Sequence, residues 1–237
     1  MRHIKKKANG FYKLEKENQS PPSNHIEATS RWKNYGKHKK NTRTSLNTVQ
    51  YSLCCYSELN YKYHNLNSHI EHLKPKSIYP QETFNHENLV ISALSHEDLK
   101  TLRKNDVFGG HFKGSNFDES LFLPCTEEET QDYFVYLHDG RVEPNKSRNQ
   151  NDQKKAQYTI DILNLNCNYL VELRKKSLSI LNQLIDDHLN DNQCLKQLAA
   201  IELIPSGEKL NSFFTANRQM LGKYAEEALD EYKPELL

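Results

Sequence analysis

From about residue 152 the apolar residues change period, and this change limits the chain to a mixed architecture. Before that point, short runs of β-formers, turn dipeptides and brief helical patterns alternate. Beyond it the spacing is helical to the end. "CNYLVELRKKSLSILNQLIDDHL" is a long amphipathic helix in which Leu178, Leu181, Ile185 and Leu189 share one stripe. "NQCLKQLAAIEL" and "KLNSFFTANRQMLGKYAEEALDEY" follow the same rule, separated by Pro205 and Gly207, and Asp152 is placed to cap the first helix, through "QKKAQYTIDIL". In the first part, "SHIEHL" reads as a strand, with His69 and Glu71 on one face and Ile70 and His72 on the other. "YFVYLHDGRVEP" is a hairpin signal, because "DG" lies between β-formers. "SRWKNY", "SLNTVQYSL" and "ENLVISALSHEDLKTL" have helical spacing, and "LCCYSEL" reads as a turn. The fold class expected is therefore α+β, with a hairpin and a helical C-terminal region.

Charge is unevenly spread. Residues 1–50 hold 12 Lys/Arg against 3 Glu, whereas the remaining 187 hold 20 against 28 acidic residues. Residues 1–28 are polar and contain "SPPSN", so they read as an extended basic arm. Such an arm either meets a polyanion or is a solvated or self-docking basic tail. No apolar run approaches the ~20 residues of a membrane helix, and "MRHIKKKANGFYK" lacks the apolar stretch of a secretory signal. The five cysteines are odd in number and mostly scattered, which suits reduced thiols. Together these point to a cytoplasmic protein with no membrane contact.

Six of the eleven histidines fall between residues 64 and 111. There "HIEHLKPK", "ENLVIS" and "GGHFKG" can be read as one site. Phosphodiester hydrolysis needs a base for water, a divalent metal for the scissile phosphate and its leaving oxygen, and cations to place the backbone. An imidazole titrates near neutrality, so His72 suits the base. Glu71 and His111 offer a hard oxygen and an imidazole as metal ligands. The amide of Asn88 can fix the tautomer of His72. Lys74, Lys76 and Lys113 can pair with phosphate, and Gly109, Gly110 and Gly114 let backbone approach it. His69 is either a group that orients the ligands or a structural histidine. Adjacent strand residues point apart, so Glu71 and His72 converge only if the strand bends or ends there; Pro75 is consistent with an ending.

In this order and spacing, Glu71-His72, then Asn88, then His111 with Lys113 resemble the HNH endonucleases, the ββα-metal family. With "SRWKNY", "CCYSE", "HIEHLKPKSIYP", "NLVIS", "GHFKG", "DYFVYLHDGRVEP" and "YTIDILNLN", residues 29–175 resemble one subfamily, the PtuB nuclease of the Septu anti-phage system, which also occurs with retrons. The resemblance implies a ββα-metal nuclease core over 29–150, a helical packing or partner-binding region over 151–237, and magnesium or manganese as cofactor. It implies a PtuA-like ABC/SMC-type ATPase as partner, and in some systems a retron reverse transcriptase with its RNA–DNA product. The substrate implied is nucleic acid, DNA before RNA such as transfer RNA. Members often carry a four-cysteine structural zinc. Here the corresponding positions are Cys54, Ser57 and, nearby, Ala93 and Gly109, so three ligands are missing and the zinc is expected to be absent; the alternative is a rebuilt site using Cys54, Cys55, His64 or His96. The alternative function is a catalytically silent adaptor that keeps the fold to hold the ATPase.

Overall fold

The computed structural model describes residues 1–6 and 10–236. It is α+β: helices surround two small antiparallel sheets, each of two strands. The first sheet pairs β1 (Ser68–His72) with β2 (Leu89–Ala93), placing Glu71 opposite Val90 and His72 opposite Leu89. Every residue of β2 is buried, because its far edge is covered as well. There the Gln50 amide donates to the Ile91 carbonyl at 2.9 Å and accepts from the Ile91 N–H at 2.7 Å, and the Cys55 N–H adds a bond to the same carbonyl. The "ENLVIS" stretch is therefore a strand and not the helix its spacing suggested. Side-chain pairing by Gln50 and burial on both faces suit β-branched Val90 and Ile91. The strand ends at Leu94, whose φ is +72°. The Asp98 carboxylate then accepts from the backbone N–H of Ser95 and of Asn67, tying the end of β2 to the start of β1.

The described residues of 1–28 are not an extended arm. They carry α1 (Tyr12–Asn18) and enter α2 (His25–Asn34), which Asn24 caps through the N–H groups of Ile26 and Glu27. Met1, Ile4 and Leu14 are buried, and the Ile4 N–H donates to the Cys125 carbonyl at 2.7 Å. Part of the basic charge turns inward with them. Arg2 donates to the Val49 carbonyl at 2.7 Å, and Lys6 reaches the carbonyls of His86 and Leu89. Burial pushes the Lys6 ammonium down to about 8. Of the two readings of the arm, docking on its own body describes these residues; residues 7–9 lie outside the described set. α3 (Lys39–Gln50) then delivers Gln50 to β2.

A four-residue helix, α4 (Gly110–Lys113), follows the first sheet. The hairpin of β3 (Phe134–Tyr136) and β4 (Val142–Pro144) turns at Asp139-Gly140, as the "DG" pair indicated. Gly140 has φ +91°, and a Cβ there would lie 2.2 Å from the Val171 carbonyl. Only glycine allows the turn to dock on α6 (Asn168–Asp186). Before it comes α5 (Gln150–Ile162), capped by Asn149, which accepts from the Asp152 N–H; Asp152 sits in the first turn instead of capping it. α7 (Asn192–Leu203) follows, and positive φ at Gly222 splits the last helical stretch into α8 (Phe214–Leu221) and α9 (Lys223–Tyr232). Leu181, Ala199, Leu203, Phe214, Ala225 and Leu229 form a core between these helices, while Leu178 joins the larger core around the first sheet. Leu189, expected on the same stripe, lies beyond α6 and is 60% exposed. Among the described residues no helix is long and apolar enough to cross a membrane.

Candidate functional site

β1 supplies two side chains of opposite orientation, and its ending brings them together. The strand stops at His72, where the Leu73 N–H bonds to the Asn88 carbonyl and the chain turns through Pro75. Glu71, His72 and His111 therefore line one cleft of about 350 Å³, together with His69, Trp32 and Lys76.

Glu71 is held from two sides. Lys113 Nζ lies 3.0 Å from its Oε1, and His69 Nε2 lies 3.3 Å from its Oε2. Burial alone would raise this carboxyl, but the Lys113 charge and the His69 hydrogen bond outweigh it and hold Glu71 at about 2. His69 Nδ1 bonds to the Leu94 carbonyl at 2.7 Å. Both partners of His69 can only accept, so its ring donates from both nitrogens and is an imidazolium when both bonds are made. Burial opposes this charge, yet the bond to Glu71 raises the His69 pKa above its ordinary value. His69 thus orients Glu71.

The structure places Lys113 away from any route to phosphate. Its side chain is 1% exposed, and its ammonium donates to the carbonyls of His72 and Leu73 at 3.1 Å each as well as pairing with Glu71. Lys113 fastens α4 to the end of β1 instead. Gly110 makes that approach possible, since a Cβ there would lie 2.5 Å from the Glu71 carboxylate. This is a closer reason for the glycine pair than backbone contact with phosphate.

His72 is 7% exposed. Its Nε2 lies 3.1 Å from the Thr83 carbonyl, which can only accept. Nε2 therefore carries the proton, and Nδ1 is left with a free lone pair in the neutral ring. Burial and then the Lys76 charge push the His72 pKa down to about 4, so the ring is neutral at pH 7. The Trp32 ring meets it edge-on at 4.6 Å.

Asn88 does not bond to the His72 ring and does not line its cleft. It faces a separate cavity with Lys74, Glu82 and Glu119. Its Oδ1 accepts from the Lys74 N–H at 2.7 Å, and its Nδ2 donates to the carbonyls of Lys74 and Glu82 at 3.0 Å each. Asn88 thus staples the chain just after His72 to the residue just before Thr83. The Thr83 carbonyl, next in the chain to Glu82, makes the contact to the His72 ring that was expected of the amide. Lys74 lines the Asn88 cavity and pairs with Glu119, so of the three lysines only Lys76 borders the cleft.

His111 sits with its ring centroid 4.3 Å from that of His69 and 5.0 Å from that of His96. Burial, then the nearby His69 and His96, hold its pKa down at about 4. Its Nε2 is buried without a hydrogen-bond partner, an open position for a ligand. Among the described residues no three His, Cys, Asp or Glu side chains converge on one metal position. Two donors remain, the His111 imidazole and the Glu71 carboxylate, whose oxygens have lone pairs beyond those taken by Lys113 and His69. These are the two side chains of the cleft that could hold a divalent ion keeping several waters.

Two of the positions implied for the zinc, Cys54 and Gly109, meet around Ser92. The Ser92 hydroxyl lies 3.8 Å from Cys54 Sγ and accepts from the Gly110 N–H at 3.3 Å, and a Cβ on Gly109 would come within 2.9 Å of it. Sequence reasoning passed over Ser92 and Thr83, and it weighed His96 only as a ligand of a rebuilt zinc site. Thr83 carries no motif signal because it acts through its backbone, and Ser92 lies in the quoted "NLVIS" stretch without chemistry of its own to mark it. The His96 ring lies instead beside that of His111.

No family model matches the chain. It is 32% identical over 143 residues to a curated protein of Vibrio cholerae serotype O1 biovar El Tor, named "Retron Vc95 putative HNH endonuclease". The chain is thus similar to a retron HNH protein. The match covers 59% of the chain and 64% of the relative, so less than two thirds of that protein's length is represented.

Proposed function

We propose that the chain is a metal-dependent HNH endonuclease with a ββα-metal core, the effector of a cytoplasmic anti-phage system of Septu PtuB type linked to a retron. The observation that carries this reading is the single cleft holding a neutral, pre-oriented His72 beside Glu71 and the unpaired Nε2 of His111. The similarity to a retron HNH protein supports it.

In this reading His72 Nδ1 takes a proton from water as the water oxygen attacks phosphorus and the ester P–O bond breaks. The Thr83 carbonyl keeps the other nitrogen protonated and stabilises the imidazolium that forms. Asn88 holds that carbonyl in place through Glu82 and Lys74. Lys76 meets a neighbouring phosphate. A magnesium or manganese ion held by Glu71 and His111 would supply charge stabilisation for the phosphate and the leaving oxygen. DNA is the favoured polymer over RNA such as transfer RNA. A PtuA-like ABC/SMC-type ATPase is the partner, with a retron reverse transcriptase and its RNA–DNA product where the system includes them.

The test incubates the chain, alone and with that ATPase, with magnesium or manganese and with DNA and RNA separately. DNA cleavage that stops on chelation is expected. Failure to cut either polymer under any of these conditions would support the adaptor reading instead.

A further inference from the structure

A second cavity of about 350 Å³ adjoins the cleft and shares Trp32, His69, Ile70 and His111 with it. Lys39 and Arg43, one turn apart on α3, line this second cavity, while Lys76 lines the first. Lys39 Nζ lies 4.7 Å from the centre of the Trp32 ring, and that ring is 4.6 Å from His72. The cations thus follow one another across the indole toward the proposed base.

Arg43 is exposed, and Lys39 and Lys76 are half-buried. Among the described residues none of the three forms an ion pair with a carboxylate. Burial lowers the Lys39 pKa, and the charges of Lys76 and Arg43 lower it further. Like charges gathered without counter-charges repel one another, and an anion placed among them relieves that repulsion. This contrasts with Arg2 and Lys6, whose charges are spent on backbone carbonyls inside the protein.

Trp32 offers little room for a base. Tyr35 stacks on it at 5.7 Å, Phe84 packs at 5.8 Å, and His72 and Lys39 take further contacts. Recognition along this strip would therefore be through phosphate, without base stacking.

We infer that Lys39, Arg43 and Lys76 form a phosphate-binding strip that carries a nucleic-acid backbone across α3 into the His72 cleft, holding it by charge and not by sequence. The inference rests on the nuclease reading of that cleft and adds Lys39 and Arg43 as its substrate-positioning residues.

The test measures binding of a fluorescein-labelled, mixed-sequence DNA duplex by anisotropy as salt is raised, in chelator so that nothing is cut. Three full-length proteins are compared: wild type, Lys39→Ala/Arg43→Ala, and the control Lys154→Ala/Lys176→Ala. Each released phosphate contact removes ~0.9 from the slope of log affinity against log salt, so the first variant should be shallower than wild type by about 1.8. The control should match wild type, and circular dichroism should show all three folded alike. A Lys39→Ala/Arg43→Ala slope equal to that of the control, or a wild type with no salt-dependent binding, would overturn the strip. The two ideas fail separately. An unchanged slope in a chain that still cuts DNA removes the strip alone. A shallower slope in a chain that cuts nothing with magnesium or manganese removes the nuclease reading and leaves the strip standing.

Discussion

His72→Ala is expected to lower the cleavage rate by about 10²–10⁴-fold while leaving fold and metal binding nearly intact. The variant keeps Glu71, Lys113 and His111, so raising manganese should not restore it. The pH profile follows from the buried ring. A base must be neutral to act, and His72 is neutral above a pKa of about 4. In kcat/KM the wild type should therefore lose no rate to His72 protonation between neutrality and pH ~5, and should fall about tenfold per unit below ~4. Acid should also weaken the fold. From its ordinary value of 6.5 down to about 4, the unfolded chain binds the His72 proton and the native chain does not. Stability contributed by this group is thus lost as pH falls through that window. Stopped-time cleavage assays and urea unfolding across the range read both effects. A profile that rises on acidification would remove His72 as the base.

Lys113→Met should be the most destabilising change at the site. It leaves the buried Glu71 carboxylate with its charge partner gone and two backbone carbonyls without their donor. Removing one member of a buried ion pair costs about 3–5 kcal/mol. The second change Glu71→Gln should recover part of the loss, because a neutral amide no longer needs the ammonium. Denaturant unfolding of the two single variants and the double variant measures the coupling. A Lys113→Met protein as stable as wild type, but weak in nucleic-acid binding, would return Lys113 to the phosphate role that its place beside glycines suggested.

That reversal shows where the sequence was readable. Short-range signals read correctly: the alternation of His69, Glu71 and His72 on β1, the "DG" turn, and the helical period after residue 152 depend on neighbours in the chain. Contacts made at long range did not read. Lys113 bonds to a carbonyl 40 residues away, and nothing local distinguishes it from an exposed phosphate contact. The β2 strand was hidden because Val90, Ala93 and Leu94 fall at i, i+3 and i+4 and can be fitted to a helix until Gln50 and β1 claim their backbone. Met1, Ile4 and Leu14 are isolated apolar residues in polar surroundings, so the packing of the N-terminal segment was invisible without the surface they cover. Asn88 was expected to touch the His72 ring, but its bonds go to backbone groups of Lys74 and Glu82 that side-chain reasoning does not see.

The central claim is that Glu71, His72 and His111 make one metal-dependent hydrolytic site. The most direct measurement is the rate of DNA cleavage against manganese concentration for wild type, Glu71→Ala, His111→Ala and His72→Ala. Glu71→Ala and His111→Ala should need more manganese and recover part of the rate at high concentration, while His72→Ala should stay inactive throughout. Cleavage by His72→Ala at the wild-type rate, or the same manganese requirement in all four proteins, would contradict the claim.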